Sequence, residues 1–594
     1  MEISNAKVAK ILRNVAAAYT IKQYLPAGRQ VFQIRAYENA ADSIDQLDAE
    51  IQDLWQEGKL AEVPNLGEKL QTYLDELLQT GKVKHFEDVQ KGILPVVFDL
   101  LDIPGVGPKT AEKLALLGVQ NLEDLKKKIK TGKLVGKGFS AKIAQNIMSS
   151  LHSLNQTGRR MLLPYAVVQA DKILNYLKKS PDIIQVHPLG SLRRMVPTVG
   201  DLDFSVSSEN SKRVVEYFCK MPGVSRVVDK GEYKATVVLN SGIQADLLVG
   251  KPESYGALLQ HFTGSKAHNI ALRGLANDKG YSLSEYGMRK ESRIKNQELR
   301  EKLITTETEE ELYKMLGMQT PPPELRENTG EIEAALKHQL PDLVKIEEIR
   351  GDLHLHSSYK IENPSHGPGA DPIEVMIKQA GELGYEYVGI SDHPPGFTSA
   401  GKDKIIEWVK KRTKSIQQIR QLAEGTKSIR VLNALEIDIL KDGSLSVPDE
   451  ALAMLDYCIA GIHSGHRGSK EEITNRLMKA LENPHVDILS HPTNRLLNER
   501  GSSEADWEQI FKFAAQNRKI LEINAFPNRL DLRDDLVRLA LSFGVKFVIN
   551  TDAHQVEQMD NMRFGASVAR RGWVTKESVV NTWDWNIFAK WFKL

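Results

Sequence analysis

With 594 residues, 41% of them hydrophobic and 26% charged, the chain is long enough for several domains and composed like a folded globular protein. Its two cysteines, Cys219 and Cys458, exclude a disulfide framework or a thiolate zinc cluster, and no apolar run approaches the ~20 residues of a membrane span, so a soluble, cytoplasmic chain with no membrane partner is expected. The formal charge of +1, from 79 Lys and Arg against 78 Asp and Glu, argues at face value against a strongly basic nucleic-acid binder.

Segment by segment the charge is uneven: −4 over residues 1–100, +13 over 101–300, −11 over 301–400 and +3 over 401–594. A basic middle is an electrostatic footprint for phosphate backbones. Residues 1–160 are mostly helical by period. In Ile103-Pro104-Gly105-Val106-Gly107-Pro108-Lys109, Gly105 and Gly107 allow a tight turn and Pro108 suits the first position of a helix with Ala111, Leu114 and Leu117 on one face. Backbone N–H groups at such a start can meet a phosphate without reading bases. Val63-Pro64-Asn65-Leu66-Gly67-Glu68-Lys69 is a weaker copy. One Gly-rich turn could be an ordinary helix connection; two favour nonspecific DNA binding, because both resemble helix-hairpin-helix motifs.

After residue 183 short β-rich runs appear. Gly190-Ser191-Leu192-Arg193-Arg194 precedes Gly200-Asp201-Leu202-Asp203-Phe204, and in a strand Asp201 and Asp203 project together while Leu202 and Phe204 enter the core. Asp246 lies in a later run, Ala245 to Val249, that otherwise looks buried. An unpaired acid there is costly, so a cation is the simplest partner, and three carboxylates can hold two Mg²⁺ ions for nucleotidyl transfer. Ser191, Arg193 and Arg194 stand where donors could bind phosphates. Acids on an exposed strand face are the plain alternative, weakened by the preceding Gly-Ser and the third Asp.

These motifs, with His261-Phe262-Thr263-Gly264-Ser265, resemble the family X (polymerase beta) DNA polymerases, collinearly over residues 1–317. The resemblance implies helix-hairpin-helix domains at 1–90 and 91–160, an α+β nucleotidyltransferase palm at 161–248 and a thumb at 249–317. It makes Asp201, Asp203 and Asp246 the catalytic metal ligands, for Mg²⁺ or Mn²⁺. It makes Gly190, Ser191, Arg194, Arg160, Phe262, Gly264, Asn269 and Arg273 contacts to nucleotide or template, and Tyr37, Lys69, Gly105, Gly107 and Lys109 contacts to DNA. His261 stands where the family often has Tyr, which puts ribonucleotide exclusion in doubt. Tyr73 occupies the place of the lyase lysine and cannot form an imine, so that activity is expected to be absent or to use another lysine.

Pro321 to Pro323 and the acidic stretch after them predict a stiff, self-repelling linker over residues 318–348. Beyond it, βα alternation implies a parallel sheet or barrel, and most of the 15 histidines fall there, many just past a short apolar run. His354 and His356, His393, Glu436, His463, His491, Asp552 and His554 come in order at predicted strand ends, which in a barrel converge on one site. Imidazole and carboxylate without thiolate suit Zn²⁺, Mn²⁺ or Fe²⁺. Residues 349–594 are similar to the PHP family, which implies a distorted (βα)₇ barrel and a ninth ligand, His366 or else Glu362.

The expectation is therefore a monomeric repair DNA polymerase that takes dNTPs and gapped or primer-template DNA, with a 3′→5′ exonuclease or 3′-end phosphoesterase in its second half. The alternatives are a non-polymerase nucleotidyltransferase fused to a small-molecule phosphatase, and a DNA end-binding protein with a structural metal domain.

Overall fold

A computed structural model describes residues 5–22, 27–45, 51–56, 58–63, 65–101, 106–130, 134, 160–290, 303–361, 366–423, 429–466, 468–498 and 500–594. The chain divides into two compact units, Met1–Arg159 and Arg160–Leu594.

The first unit is helical. Val8, Leu12, Val15 and Tyr19 fall on one face of the helix Asn5–Lys22 and meet Leu70, Leu74 and Leu77 of the helix Glu68–Thr80. That helix stops at Gly81, whose φ of 76° is the left-handed conformation glycine accepts without strain. A second cluster joins Val97 and Leu100 to Ala111 and Leu114 of the helix Pro108–Leu116.

The second unit holds, among its described residues, a five-stranded and a seven-stranded sheet. The first consists of β1 (Gln185–Pro188), β2 (Leu202–Ser207), β3 (Val224–Lys230), β4 (Lys234–Leu239) and β5 (Gln244–Gly250), in the order β1-β2-β5-β4-β3. Only β2 and β5 run parallel, and their register sets Asp203 opposite Asp246. Leu202, Phe204, Ala245 and Leu247 are fully buried with Ala166, Ile173, Val214 and Phe218 of the helices Leu163–Leu177 and Ser211–Cys219. At about 1.5–3 kcal/mol for each large apolar side chain, that contact fixes which face carries the acids.

The helices Tyr255–Thr263, Lys266–Asp278 and Glu309–Met315 follow; the last starts in a capping box of Thr308 and Glu311. Gly256 packs where a Cβ would stand 2.2 Å from the Thr308 carbonyl oxygen. Residues 318–348 depart from the expected linker. Met318, Ile332 and Ala335 are buried in one cluster with Leu272, Leu312 and Tyr313. Three of the acids there face bases: Glu324 binds Arg570 at 2.6 Å, Glu327 binds Arg194 at 2.9 Å and Arg571 at 3.0 Å, and Glu331 meets His268 at 2.6 Å.

The second sheet runs β6 (Gly351–Leu355), β7 (Tyr387–Ile390), β8 (Arg430–Asp438), β9 (Tyr457–Gly461), β10 (Ile488–Leu489), β11 (Ile520–Asn524) and β12 (Lys546–Asn550), all parallel and in sequence order. Its ends approach closure: Leu355 pairs with Ala553, and Leu353 N–H donates to Asn550 Oδ1 at 3.0 Å. Phe588 and Phe592 of the helix Trp585–Phe592 pack with Leu353, Tyr387, Tyr457 and Ile459. This is the distorted seven-stranded barrel expected.

Candidate active sites on the sheet and in the barrel

At the first site, Asp201 precedes β2, Asp203 lies on it, and Asp246 is its neighbour on β5. Burial, then repulsion by Asp201 and Asp246, push the Asp203 carboxyl up to about 7, against the pull of Lys234. Burial and Asp246 also raise Asp201, against Arg160. Asp246 accepts hydrogen bonds from Thr236 and, at 2.8 Å, from Gln244, with Lys234 Nζ 3.8 Å away. Three clustered acids, two of which the cluster drives toward protonation, are chemically suited to a divalent cation, which would relieve the repulsion.

The short helix Gly190–Arg193 lies against these acids: a Cβ on Gly190, whose φ is 55°, would stand 3.2 Å from Asp203 Oδ2. Ser191 is the second residue of that turn and Arg194 caps it. Arg194 donates to the Thr263 carbonyl at 2.6 Å and to Glu327 at 2.9 Å, and its Nη1 comes within 3.1 Å of where a Gly264 Cβ would be. Arg193 departs from the phosphate-binding expectation, since its guanidinium grips Glu309 through two bonds, 3.0 and 2.6 Å, and also reaches Thr263. Arg160 is tied to Thr198, at 3.0 Å to its hydroxyl and 2.9 Å to its carbonyl. Asn269 donates to the His261 carbonyl at 2.7 Å, Arg273 lies 3.3 Å from His261 Nδ1, and Phe262 is exposed.

In the first unit, Gly67 and Gly107 are the N-caps of their helices, with open space where a Cβ would sit, and Lys69 and Lys109 two residues on are exposed. Gly105 and Glu362 lie outside the described residues. Tyr37 is buried rather than at the surface, stacked on Tyr19 at 5.8 Å, so its ring is not placed to hold a phosphate. Tyr73 stacks on His85 at 4.7 Å.

In the barrel, Glu436 on β8 sits among five imidazoles of the described residues. Its Oε2 lies 3.1 Å from His354 Nε2, 3.4 Å from His356 Nε2 and 3.2 Å from His393 Nε2. Its Oε1 lies 3.1 Å from His463 Nε2 and 2.9 Å from His491 Nε2. Burial opposes the charge of Glu436, but His354, His463 and His393 outweigh it and hold the carboxyl well below its usual range. Four overlapping groups have ligand atoms within 4.8 Å of one another: His356, His393 and His554; His354, His356, Glu436 and Asp552; His366, Asp438 and His463; Glu436, His463 and His491. Each expected barrel position occurs in one of them. Among the described residues no such group includes Asp201, Asp203 or Asp246.

Nitrogens of His354, His356, His393 and His463 and Asp552 Oδ1 are buried without a hydrogen-bond partner. Orphaned donor atoms aimed at one another, with no thiolate, fit bound divalent ions. Two acids were not anticipated. Asp438 lies 3.0 Å from His366 Nε2 and 2.7 Å from His463 Nδ1; its spacing of two from Glu436 on one strand is the signal that could have found it. Glu522 on β11 accepts from the His491 N–H at 2.8 Å and meets His354 Nδ1 at 2.7 Å, which leaves His354 Nε2 directed at the site. An acid inside an apolar strand was its signal.

Comparison with known proteins agrees with this layout. Family models match for a helix-hairpin-helix domain over residues 3–83, a SAM-like helix-hairpin-helix tandem over 97–153, the DNA polymerase beta thumb over 258–327 and the PHP domain over 352–526. A relative in Bacillus subtilis (strain 168), "DNA polymerase/3'-5' exonuclease PolX", is 32% identical over 578 residues, which are 97% of this chain and 96% of that protein. A "Probable phosphatase" of Thermoanaerobacter sp. (strain X514) is 24% identical over 39% of this chain and 89% of its own length. One of Acetivibrio thermocellus is 26% identical over 34% and 78%.

Proposed function

This chain belongs to the family X DNA polymerases that carry a C-terminal PHP domain, and on that premise we propose that it fills short gaps in DNA during repair while its barrel trims or cleans 3′ ends. The enzyme is a metal-dependent DNA polymerase with 3′→5′ exonuclease character, and its helix-hairpin-helix domains bind DNA. The single observation that carries the polymerase reading at this chain's own residues is the register of β2 and β5, which sets Asp203 beside Asp246.

In this reading residues 161–248 are the palm, 249–317 the thumb and 349–594 the phosphoesterase, with 1–90 and 91–160 on the DNA. Asp201, Asp203 and Asp246 hold Mg²⁺ or Mn²⁺, and the nine barrel positions hold two or three Zn²⁺, Mn²⁺ or Fe²⁺ ions. Bound divalent ions supply a lowered pKa for the attacking hydroxyl or water and charge relief for the phosphate. The residues do the rest. Asp246, oriented by Thr236 and Gln244, accepts the primer 3′-hydroxyl proton. Ser191 and Arg194 orient the triphosphate of the incoming dNTP, and Phe262 and Gly264 border its sugar. In the barrel, Glu522 fixes the ring of His354. Template-dependent incorporation separates this from a non-polymerase transferase joined to a small-molecule phosphatase, a second reading favoured for the barrel by the probable phosphatases.

The test is a duplex with a one-nucleotide gap and a labelled primer. Wild type extends the primer with dNTPs and shortens it without them. Failure to extend at all would refute the polymerase reading, and release of phosphate only from free small molecules would refute the 3′-end reading.

A further inference from the structure

The network between the sheet and the barrel leads from one half toward the catalytic acids of the other. Arg571 ends the helix Met562–Arg571 of the barrel half, with its side chain only 4% exposed. Its Nε donates to Asp534 at 2.7 Å. Its Nη1 donates at 3.0 Å both to Glu327 Oε1 and to the backbone carbonyl of Arg194. The same Glu327 oxygen accepts from Arg194 Nε at 2.9 Å, while Arg194 Nη1 is spent on the Thr263 carbonyl at 2.6 Å. Three sides of Arg194 are thereby fixed: its main chain by Arg571, Nε by Glu327 and Nη1 by Thr263. Among the described residues its remaining nitrogen, Nη2, has no hydrogen bond of its own to a protein acceptor.

Burial opposes ionisation of Glu327, but Arg194 and Arg571 outweigh it and keep the carboxylate charged. Arg571 is itself paired with Asp534, so the two arginines and two acids sum to zero, and what the network supplies to Arg194 is orientation rather than net charge. A structural pin between halves would need neither the shared oxygen nor the bond to the Arg194 carbonyl.

We propose that Arg571 is a positioning residue for nucleotide binding: through Glu327 and the Arg194 backbone, the barrel half holds the Arg194 guanidinium oriented for the triphosphate of the incoming nucleotide. The proposal rests on the reading of Arg194 as a triphosphate contact. It means that the phosphoesterase half contributes to the polymerase reaction without touching its substrate.

The test measures single-nucleotide gap filling by the full chain. Arg571→Met should raise KM for dNTP about fivefold, with kcat within about twofold of wild type and primer shortening without dNTPs unchanged. Arg571→Lys, which restores the charge but not the fork, should fall between the two. Since Arg571 also pairs with Asp534, Glu327→Gln is the companion variant that leaves that pair intact; it should raise KM about threefold by loosening Arg194 Nε. Unchanged KM in a folded Arg571→Met or Glu327→Gln protein overturns the proposal, as does an equal loss of extension and shortening, which marks a purely structural pin. Absence of any incorporation by wild type would instead remove the reading of the palm on which it rests.

Discussion

On the five-stranded sheet, Asp201, Asp203 and Asp246 stand together with mainly Lys234 and Arg160 to offset them, and Asp203 is pushed up to about 7 by burial and by its two neighbours. In the barrel, Glu436 is more deeply buried, yet five imidazoles around it hold it well below its usual range. The first site is frustrated until a cation arrives, whereas the second neutralises itself with its own side chains. The difference predicts unlike metal behaviour. Ions at the carboxylate site should exchange freely and be set by the medium, and ions in the barrel should be retained through dialysis and need a chelator to leave.

The sharpest way to break this contrast is to remove one ligand from each site. Asp203→Ala should lower primer extension by about 10³-fold or more and leave shortening within about twofold, and His354→Ala should do the reverse. If both variants lost both activities equally, the sites would not be independent. A stability effect comes next. Burial opposes the charge of Glu309, but Arg326 and Arg193 outweigh it and bring its carboxyl down to about 2. The folded value lies below the unfolded one of 4.5, so the stabilisation is present above about pH 4.5 and is lost as pH falls through 2. Glu309→Gln should cost about 3–5 kcal/mol in denaturant unfolding at pH 7, because it leaves a buried arginine unpaired. It should also flatten the acid limb.

Smaller effects refine the comparison. Glu522→Gln should weaken barrel metal retention about 10- to 100-fold, read as metal content after graded chelation, with gap filling in excess Mg²⁺ unaffected. At the sheet, Asp203 has a folded value of about 7 against 3.8 unfolded, so cation-free protein should lose stability as pH rises from about 4 through 7. Adding Mg²⁺ at pH 6 should release a proton, measurable in weakly buffered solution, and Asp203→Asn should abolish that release.

Much of both sites was legible because strand periodicity is short-range. The two-residue spacing of Asp201 and Asp203, and the histidines that follow apolar runs, need no tertiary knowledge to be seen. What escaped depends on partners far away in sequence. The acids of residues 318–348 look self-repelling until Arg194, Arg570 and Arg571 are brought to them. Tyr37 passes for a surface contact until Tyr19 and Phe86 cover it. Arg193 passes for a phosphate ligand until Glu309, 116 residues on, takes it.

The folding of residues 318–348 also bears on how the enzyme can be taken apart. Three prolines in a row invite a cut at Pro321, but that cut would strip Ile332 and Ala335 from the cluster that buries Leu272 and Tyr313. A cut after Glu348 would keep that cluster and instead sever Glu324 and Glu327 from Arg570 and Arg571. Neither half has a clean edge. Separately expressed pieces would expose apolar surface or unpaired buried charge at the break, so inactivity of a fragment would report the damaged seam rather than the chemistry it was made to isolate.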